Sequence, residues 1–304
     1  NLFFLDSSLI EKLESLNTPT VLFLTDNWLI AGRTPERIHK FFERFVHGRE
    51  LFSEDMDLTL AGPRHSMASA AIFGAHFMRN LYASCGYDFS QSWTVHNGVQ
   101  TADALTAMEV PHHGMNPKRL KLLFAGRIVD LKAPDICVRA LRHIRKQIGD
   151  EVELSLTLVG DGQDVAYRKL LNDCIAADDS GASIELREPV AEAELQTLWD
   201  EHDIYLFHST YEPFALTLIL ALAGGIPTVA SRAGGNGEII HHEGTGLLFD
   251  TGDAEDMAAQ VVRLFKNPAL SASVSERGQR LARKFSFGRM IDQIETRLQS
   301  CIRT

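Results

Sequence analysis

No stretch of this 304-residue sequence stays apolar over the roughly 20 residues that a helix needs to cross a bilayer. No basic-then-apolar leader opens it at Asn1, so a soluble, cytoplasmic protein is expected, with peripheral membrane contact left open. Cysteine is sparse: Cys85, Cys137, Cys174 and Cys301 lack paired spacing. Cys137 and Cys301 fall on apolar faces of predicted helices, which suggests reduced, buried thiols rather than a disulfide framework. Positive charge is also in short supply. A net charge of -10 repels phosphate backbones and anionic headgroups unless basic residues are segregated onto one face, so no nucleic-acid partner is expected. The sequence has no Gly-x-x-x-x-Gly-Lys-Ser/Thr loop and no serine-centred nucleophile elbow, which removes the usual ATPase and esterase readings. A nicotinamide-dependent oxidoreductase ranks last, for want of Gly-x-Gly-x-x-Gly after a strand. Glycine is missing from the start of the chain until Gly32.

What is present is a large apolar fraction, 45 %, against 23 % charged residues, enough to bury two moderate cores. From about residue 118 strands and helices alternate, the pattern of a doubly wound α/β sheet. The apolar run Leu120 to Ala125 ends at Gly126, and a helix follows with Pro134 in its first turn and Cys137, Leu141, Ile144 and Ile148 on one face. The next strand runs from Val152 to Leu158 and stops at Gly160-Asp161-Gly162. Further strands are read at Ile184 to Leu186, Ile204 to Phe207, Pro227 to Ala230 and Leu247 to Phe249, with helices through Leu170, Leu171 and around Leu195 to Trp199 between them. The helix from about Ala215 to Ala223 is apolar nearly all round, which predicts burial between the sheet and a second domain. In the first hundred residues only Val21 to Leu24 reads clearly as a strand, and Phe41, Phe42 and Phe45 mark a helix face. Residues 101–117 lack periodicity and read as a linker. The expected domains are 1–113, incomplete and including the linker; 114–285; and a final helix at 286–304, with Ile291, Ile294, Leu298 and Cys301 on one stripe and its packing partner open.

Four separated segments carry the chemistry. They are Val95-His96-Asn97-Gly98-Val99; Leu123-Phe124-Ala125-Gly126-Arg127 with Lys132 five residues on; Leu158-Val159-Gly160-Asp161-Gly162; and Ser209 to Phe214, continuing through Gly225-Ile226-Pro227, Gly234 to Glu238 and Gly244 to Leu248. Arg127 and Lys132 sit in a loop after a strand, where permanent cations can meet a dense anion. Taken singly, each reads more simply as a solvated loop charge. A helix starting near Ala215 offers the N–H groups of Leu216 and Thr217 and the positive end of its dipole. The Gly160 and Gly162 turn is by itself a structural feature, and Asn97-Gly98 is a good turn sequence. Adjacent histidines at 112–113 and 241–242 lack metal-ligand spacing and read as surface residues.

In order and spacing these segments resemble the GT-B glycosyltransferases of the large retaining family four, over roughly residues 90 to 290. The resemblance implies two Rossmann-like domains facing across a cleft, the first of them incomplete here. The second would hold a nucleotide-diphosphate sugar, most simply a UDP-sugar, and the cleft would receive a saccharide, lipid-linked or small-molecule acceptor. It implies catalysis by Arg127, Lys132 and Glu212 without a metal ion or further cofactor. Donor contacts would come from Gly126, Gly160, Gly162, Pro213, Phe214, Ala215, Leu216, Thr217 and position 220. Asn97 and Asp26 would lie on the acceptor side, Asp26 within Thr25-Asp26-Asn27-Trp28, which is similar to the family's His-Asp-x-Trp. Capping of the next helix is an equal reading of Asp26.

The chain departs from the family pattern at several points. Eight residues after Glu212, where the family has a ribose-binding glutamate, stands Leu220. Loss of that acceptor is worth about 1 to 3 kcal/mol of donor affinity. Ala215 replaces a glycine, Glu188-Pro189-Val190 replaces a Gly-x-Val, Thr25 replaces a histidine, and no glycine-rich loop precedes Thr20. These departures keep open a non-catalytic nucleotide-sugar binder and, behind it, a nucleotide-sugar epimerase. The sequence does not define the oligomeric state.

Overall fold

A computed structural model of the chain describes residues 8–16, 18–47, 64–100 and 114–302. Most of the segment read as a linker, and the histidines at 112 and 113, lie outside the described residues. The chain forms two compact units, Asn1–Gly98 with Phe287–Thr304, and Val99–Ser286.

The larger unit is built on six parallel strands: β6 (Arg119–Ala125), β7 (Glu153–Val159), β8 (Ser183–Arg187), β9 (Ile204–Phe207), β10 (Thr228–Ser231) and β11 (Leu247–Phe249). Their order across the sheet is β11-β10-β9-β6-β7-β8. Sheet order therefore runs outward in both directions from the central pair β6 and β9. Right-handed crossovers then send the helices after β6 and after β9 to opposite faces. On one face α5 (Asp135–Ile148) packs against α6 (Val165–Ala176) and α10 (Ala254–Lys266). On the other, α8 (Leu216–Ala223) packs against α11 (Pro268–Ala282) and touches the short α9 (Asn236–Ile239). Strands covered on both sides need apolar residues at successive positions, as in the fully buried run of β9.

The all-round apolar helix α8 buries every residue from Leu218 to Ala223. Helix α11 of the same unit packs on it. At Gly278 of α11 a Cβ would stand 2.8 Å from Leu222 Cδ2, and Ser275 Oγ donates to the Gly225 carbonyl at 2.5 Å. A small residue and a satisfied hydroxyl let the two helices close together. Helix α7 (Leu195–Glu201) is fixed by His202, which is buried between the Leu198 carbonyl (Nδ1, 2.6 Å) and Thr157 Oγ1 (Nε2, 3.0 Å).

The smaller unit has a parallel sheet of β1 (Val21–Leu24), β3 (Ala70–Phe73) and β5 (Ser92–Thr94), and a parallel pair of β2 (His65–Met67) and β4 (Tyr87–Phe89). The remaining helices of this unit are α1 (Ser8–Ser15), α2 (Trp28–Arg33), α3 (Pro35–Phe41) and α4 (His76–Ser84). The three phenylalanines span the end of α3 and a turn of π-helix at Phe42–His47; Phe41 and Phe45 are buried and Phe42 is half-buried. The core gathers Phe73, Tyr82, Tyr87 and Phe89 into one aromatic cluster. The terminal helix α12 (Phe287–Ile302) belongs to this unit, where the Gly98 N–H meets Met290 Sδ at 3.2 Å and the Arg297 guanidinium lies 6.0 Å from the Trp93 ring centre. Cys85 and Cys137 are buried, with burial pushing the Cys85 thiol up to about 12; Cys174 and Cys301, expected inside, are only half-buried. Among the described residues no helix is long and apolar enough to cross a membrane.

Two outcomes test this packing. A Cβ at Gly162 would meet the Ile128 carbonyl oxygen at 1.9 Å, so Gly162→Ala should lower unfolding free energy by about 2 kcal/mol or more in denaturant titration. An unchanged midpoint would contradict that close approach. The second concerns pH. Burial, aided by the Arg187 charge, lowers the His202 pKa below its ordinary 6.5. The unfolded chain therefore binds this proton first, and stability falls as pH drops below about 6.5. His202→Gln should flatten that decline between pH 6.5 and 5; an equally steep decline would remove the assignment.

Candidate functional site

Because the helices after β6 and β9 leave on opposite faces, the loops that follow these two strands diverge at the carboxyl edge of the sheet. A crevice at such a switch point is where open α/β sheets take their ligands. Those loops, 126–134 and 208–215, carry Gly126, Arg127, Lys132, Glu212, Pro213, Phe214 and Ala215.

The β6 loop is shaped from one side by its neighbour strand. The Gly126 N–H donates to the Val159 carbonyl at 3.0 Å, and the Ile128 N–H to the Asp161 carbonyl at 2.6 Å. Gly160 has φ 148°, and a Cβ there would stand 1.9 Å from the Gly126 oxygen. Gly160 and Gly162 are therefore fixed by backbone contact with the Gly126–Ile128 segment. Arg127, between those two hydrogen-bonded residues, is exposed.

From the other side the β9 loop grips the same segment. The Thr210 N–H donates to the Leu131 carbonyl at 2.9 Å, and Ser209 Oγ does so at 3.1 Å. Ala133 holds φ 36°, a conformation unfavourable for any residue with a Cβ. The Lys132 and Ala133 N–H groups both reach the Val129 carbonyl at 2.9 Å, which pins this tight turn in place. Lys132 is thereby directed at Glu212: Nζ is ion-paired with Oε2, the two side chains being only 16 % and 10 % exposed. The ammonium also lies 5.1 Å from the centre of the Phe207 ring, within cation–π range.

Glu212 is held at its backbone by the Gly234-Gly235 turn. Gly234 has φ 50°; the Gly235 N–H donates to the Glu212 carbonyl at 2.8 Å, and a Cβ on Gly235 would stand 2.2 Å from the Pro213 oxygen. Pro213 is half-buried, and Phe214 is anchored edge-on to Phe285 with ring centres 5.7 Å apart. Ala215 is the N-cap of α8 without a side-chain cap bond. The only first-turn bond is Leu218 N–H to the Ala215 carbonyl, at 3.1 Å, and among the described residues nothing accepts from the Leu216 or Thr217 N–H. Tyr205, missed in the sequence, braces this end: its hydroxyl donates to the Ala125 carbonyl at 3.0 Å, and its phenol is pushed up by burial, an effect the Thr217 hydroxyl eases.

Leu220 is buried at 4 % exposure within the apolar run of α8. The two acceptor-side residues lie in the smaller unit. Asp26, one residue before the N-cap Asn27 of α2, accepts the Trp28 N–H at 3.0 Å through Oδ1, and its carbonyl accepts from the Tyr82 hydroxyl at 3.0 Å. Asn97 packs on Gly74, where a Cβ would come within 2.8 Å of its amide. His241 and His242 are exposed, and His242 Nδ1 accepts the Leu248 N–H at 3.0 Å.

The family model described as glycosyl transferases group 1 matches residues 109–281, more than half of the chain. The chain belongs to that family. Curated relatives include a D-inositol 3-phosphate glycosyltransferase of Pseudarthrobacter chlorophenolicus, 33 % identical over 62 % of this chain and 45 % of that protein. An N-acetyl-alpha-D-glucosaminyl L-malate synthase of Bacillus anthracis is 32 % identical over 49 % of this chain and 38 % of its own length. The chain thus spans less than half the length of these curated relatives. Among solved structures, Anabaena HepE in complex with UDP and glucose is similar over 97 % of this chain and 76 % of that one, with a TM-score of 0.70 and 18 % identity. Sucrose-phosphate synthase from Thermosynechococcus elongatus is similar over 99 % and 79 %, with a TM-score of 0.67 and 18 % identity. The fold of this group 1 member is accordingly the α/β GT-B architecture.

The Lys132–Glu212 pair invites a direct measurement. Lys132→Met leaves a largely enclosed carboxylate without its cation and should cost about 1 to 3 kcal/mol of stability. In a double-mutant cycle with Glu212→Gln the two losses should couple by about 0.5 to 3 kcal/mol; strictly additive losses would show that the pair does not interact.

Proposed function

We propose that this chain transfers a sugar from a nucleotide-diphosphate donor, most simply a UDP-sugar, to an acceptor hydroxyl with retention of configuration. The observation that carries the reading is the convergence of the β6 and β9 loops, which sets Lys132 against Glu212 four residues before the open N–H groups of α8. A diphosphate leaving group needs positive charge that develops no further reorganisation as the bond breaks. Lys132, held by its ion pair, the exposed Arg127 and the N–H groups of Leu216 and Thr217 supply it from two side chains and a helix dipole. With that charge provided by the protein, no metal ion is required at the diphosphate.

In this reaction the bond between the anomeric carbon and the diphosphate oxygen breaks while the acceptor oxygen bonds to the same face of the sugar. The departing phosphate oxygen takes the acceptor proton, so no protein nucleophile is needed. Glu212, released from part of its hold on Lys132 by the incoming phosphate, can accept hydrogen bonds from sugar hydroxyls. Gly126, Gly160 and Gly162, held in backbone contact with one another and with Ile128, form the edge of the β6 loop beside which the nucleoside is proposed to lie. Relatives and structural neighbours named for glycosyl transfer, or solved with UDP and glucose, support this choice of substrate class. The acceptor is proposed as a hydroxyl compound, whether saccharide, lipid-linked or small metabolite, and Asp26 is assigned to positioning the loop after β1 rather than to proton transfer.

Calorimetric titration with UDP, GDP and ADP, followed by assay of nucleoside-diphosphate release from the matching sugars, tests the reading. UDP should bind, Lys132→Ala should weaken it by tenfold or more, and Arg127→Ala should weaken it less. Binding without release in the presence of sugar, polyprenyl and polyol acceptors would establish a non-catalytic binder, the alternative that Leu220 favours. No affinity for any of the three nucleotides would end the proposal.

A further inference from the structure

His208 stands at the carboxyl end of β9, directly before the Ser209 to Phe214 segment, and no motif of the sequence drew attention to it. It is fully buried, at 0 % exposure, and its ring lies nearly parallel to that of Phe249 with centres 6.0 Å apart. Nδ1 lies 3.1 Å from the carbonyl oxygen of Lys132, and Nε2 accepts the Gly252 N–H at 3.2 Å. A carbonyl can only accept and an amide N–H can only donate, so these partners fix the imidazole as the neutral Nδ1–H tautomer. The ring therefore bridges three loops at one edge of the sheet, those after β6, β9 and β11. Its donor lands on the residue whose side chain meets Glu212, one position before Ala133 with its unfavourable positive φ.

We propose that His208 is a positioning residue for Lys132: its Nδ1–H holds the Lys132 carbonyl, and with it the direction in which the ammonium leaves the strained turn. The proposal rests on the reading of Lys132 as the diphosphate-binding cation. Three other bonds, from Thr210 N, Thr210 Oγ1 and Ser209 Oγ, reach the neighbouring Leu131 carbonyl, so the His208 bond is the contact from the β9 strand end that addresses Lys132 itself. Loss of it frees the turn to relax, and the ammonium no longer stands preset against Glu212.

Two substitutions separate this role from simple core packing. His208→Asn keeps an N–H donor near the Nδ1 position, whereas His208→Gln places its amide near the Nε2 position and loses the Lys132 contact. Both remove the ring, so both should lower the thermal midpoint to a similar degree. Two readouts then divide them. Acylation of Lys132 by a lysine reagent, followed by mass spectrometry, needs no substrate: the rate should stay near wild type in His208→Asn and rise severalfold in His208→Gln. UDP affinity should be retained within about threefold in His208→Asn and fall about tenfold in His208→Gln. Equal labelling rates in the two variants, or rates that follow the thermal midpoint alone, would overturn the proposal. Wild-type protein that binds no UDP while the labelling rates still divide the variants would overturn the nucleotide reading and leave the positioning of Lys132 standing.

Discussion

The constraint on which the larger unit depends is the reversal of strand order between β6 and β9. Parallel strands require crossovers, crossovers are right-handed, and so α5 and α8 must take opposite faces. The loops leading to them are pulled apart above the sheet, and a crevice results from topology before any side chain is chosen. What this sequence adds is the means of bringing parts of the two loops back together. Thr210 and Ser209 bond the Leu131 carbonyl, His208 bonds the Lys132 carbonyl, and the Lys132 side chain closes on Glu212.

Glycine at this edge is required by contact rather than by flexibility. Gly160 and Gly162 lie under the oxygens of Gly126 and Ile128, and Gly235 lies under that of Pro213. In each case a side chain would stand within about 2 Å of a backbone oxygen of another loop. The three glycines lock the loops to one another, which leaves Lys132 and the helix tip preset, as the proposed electrostatic stabilisation of a leaving diphosphate requires. Leu220 fits the same picture from the other direction. Its burial in an apolar helix packed on α11 means that this position serves the core, and any ribose contact must come from elsewhere.

The alternation of strands and helices after residue 118 was legible because buried parallel strands and amphipathic helices have different periods, and β6 to β11 lie where those periods place them. The smaller unit was not. β2, β4 and β5 are three residues each, too short to show an alternation, and Trp93 and Thr94 in β5 are half-buried. The packing of α11 on α8 was not legible because a hydrophobic face states only that it must be buried. It does not state by what, and α11 answers with Gly278 and Ser275, residues that carry no apolar signal of their own.

The sequence by itself determined the class of fold and the family, and it singled out Arg127, Lys132 and Glu212 as candidates, because spacing along a strand, loop and helix is a local property. Tertiary structure alone decided that Lys132 meets Glu212 across 80 residues of chain and that His208 holds the Lys132 carbonyl. Those contacts join loops remote in sequence, and only the order of strands in the folded sheet makes them neighbours.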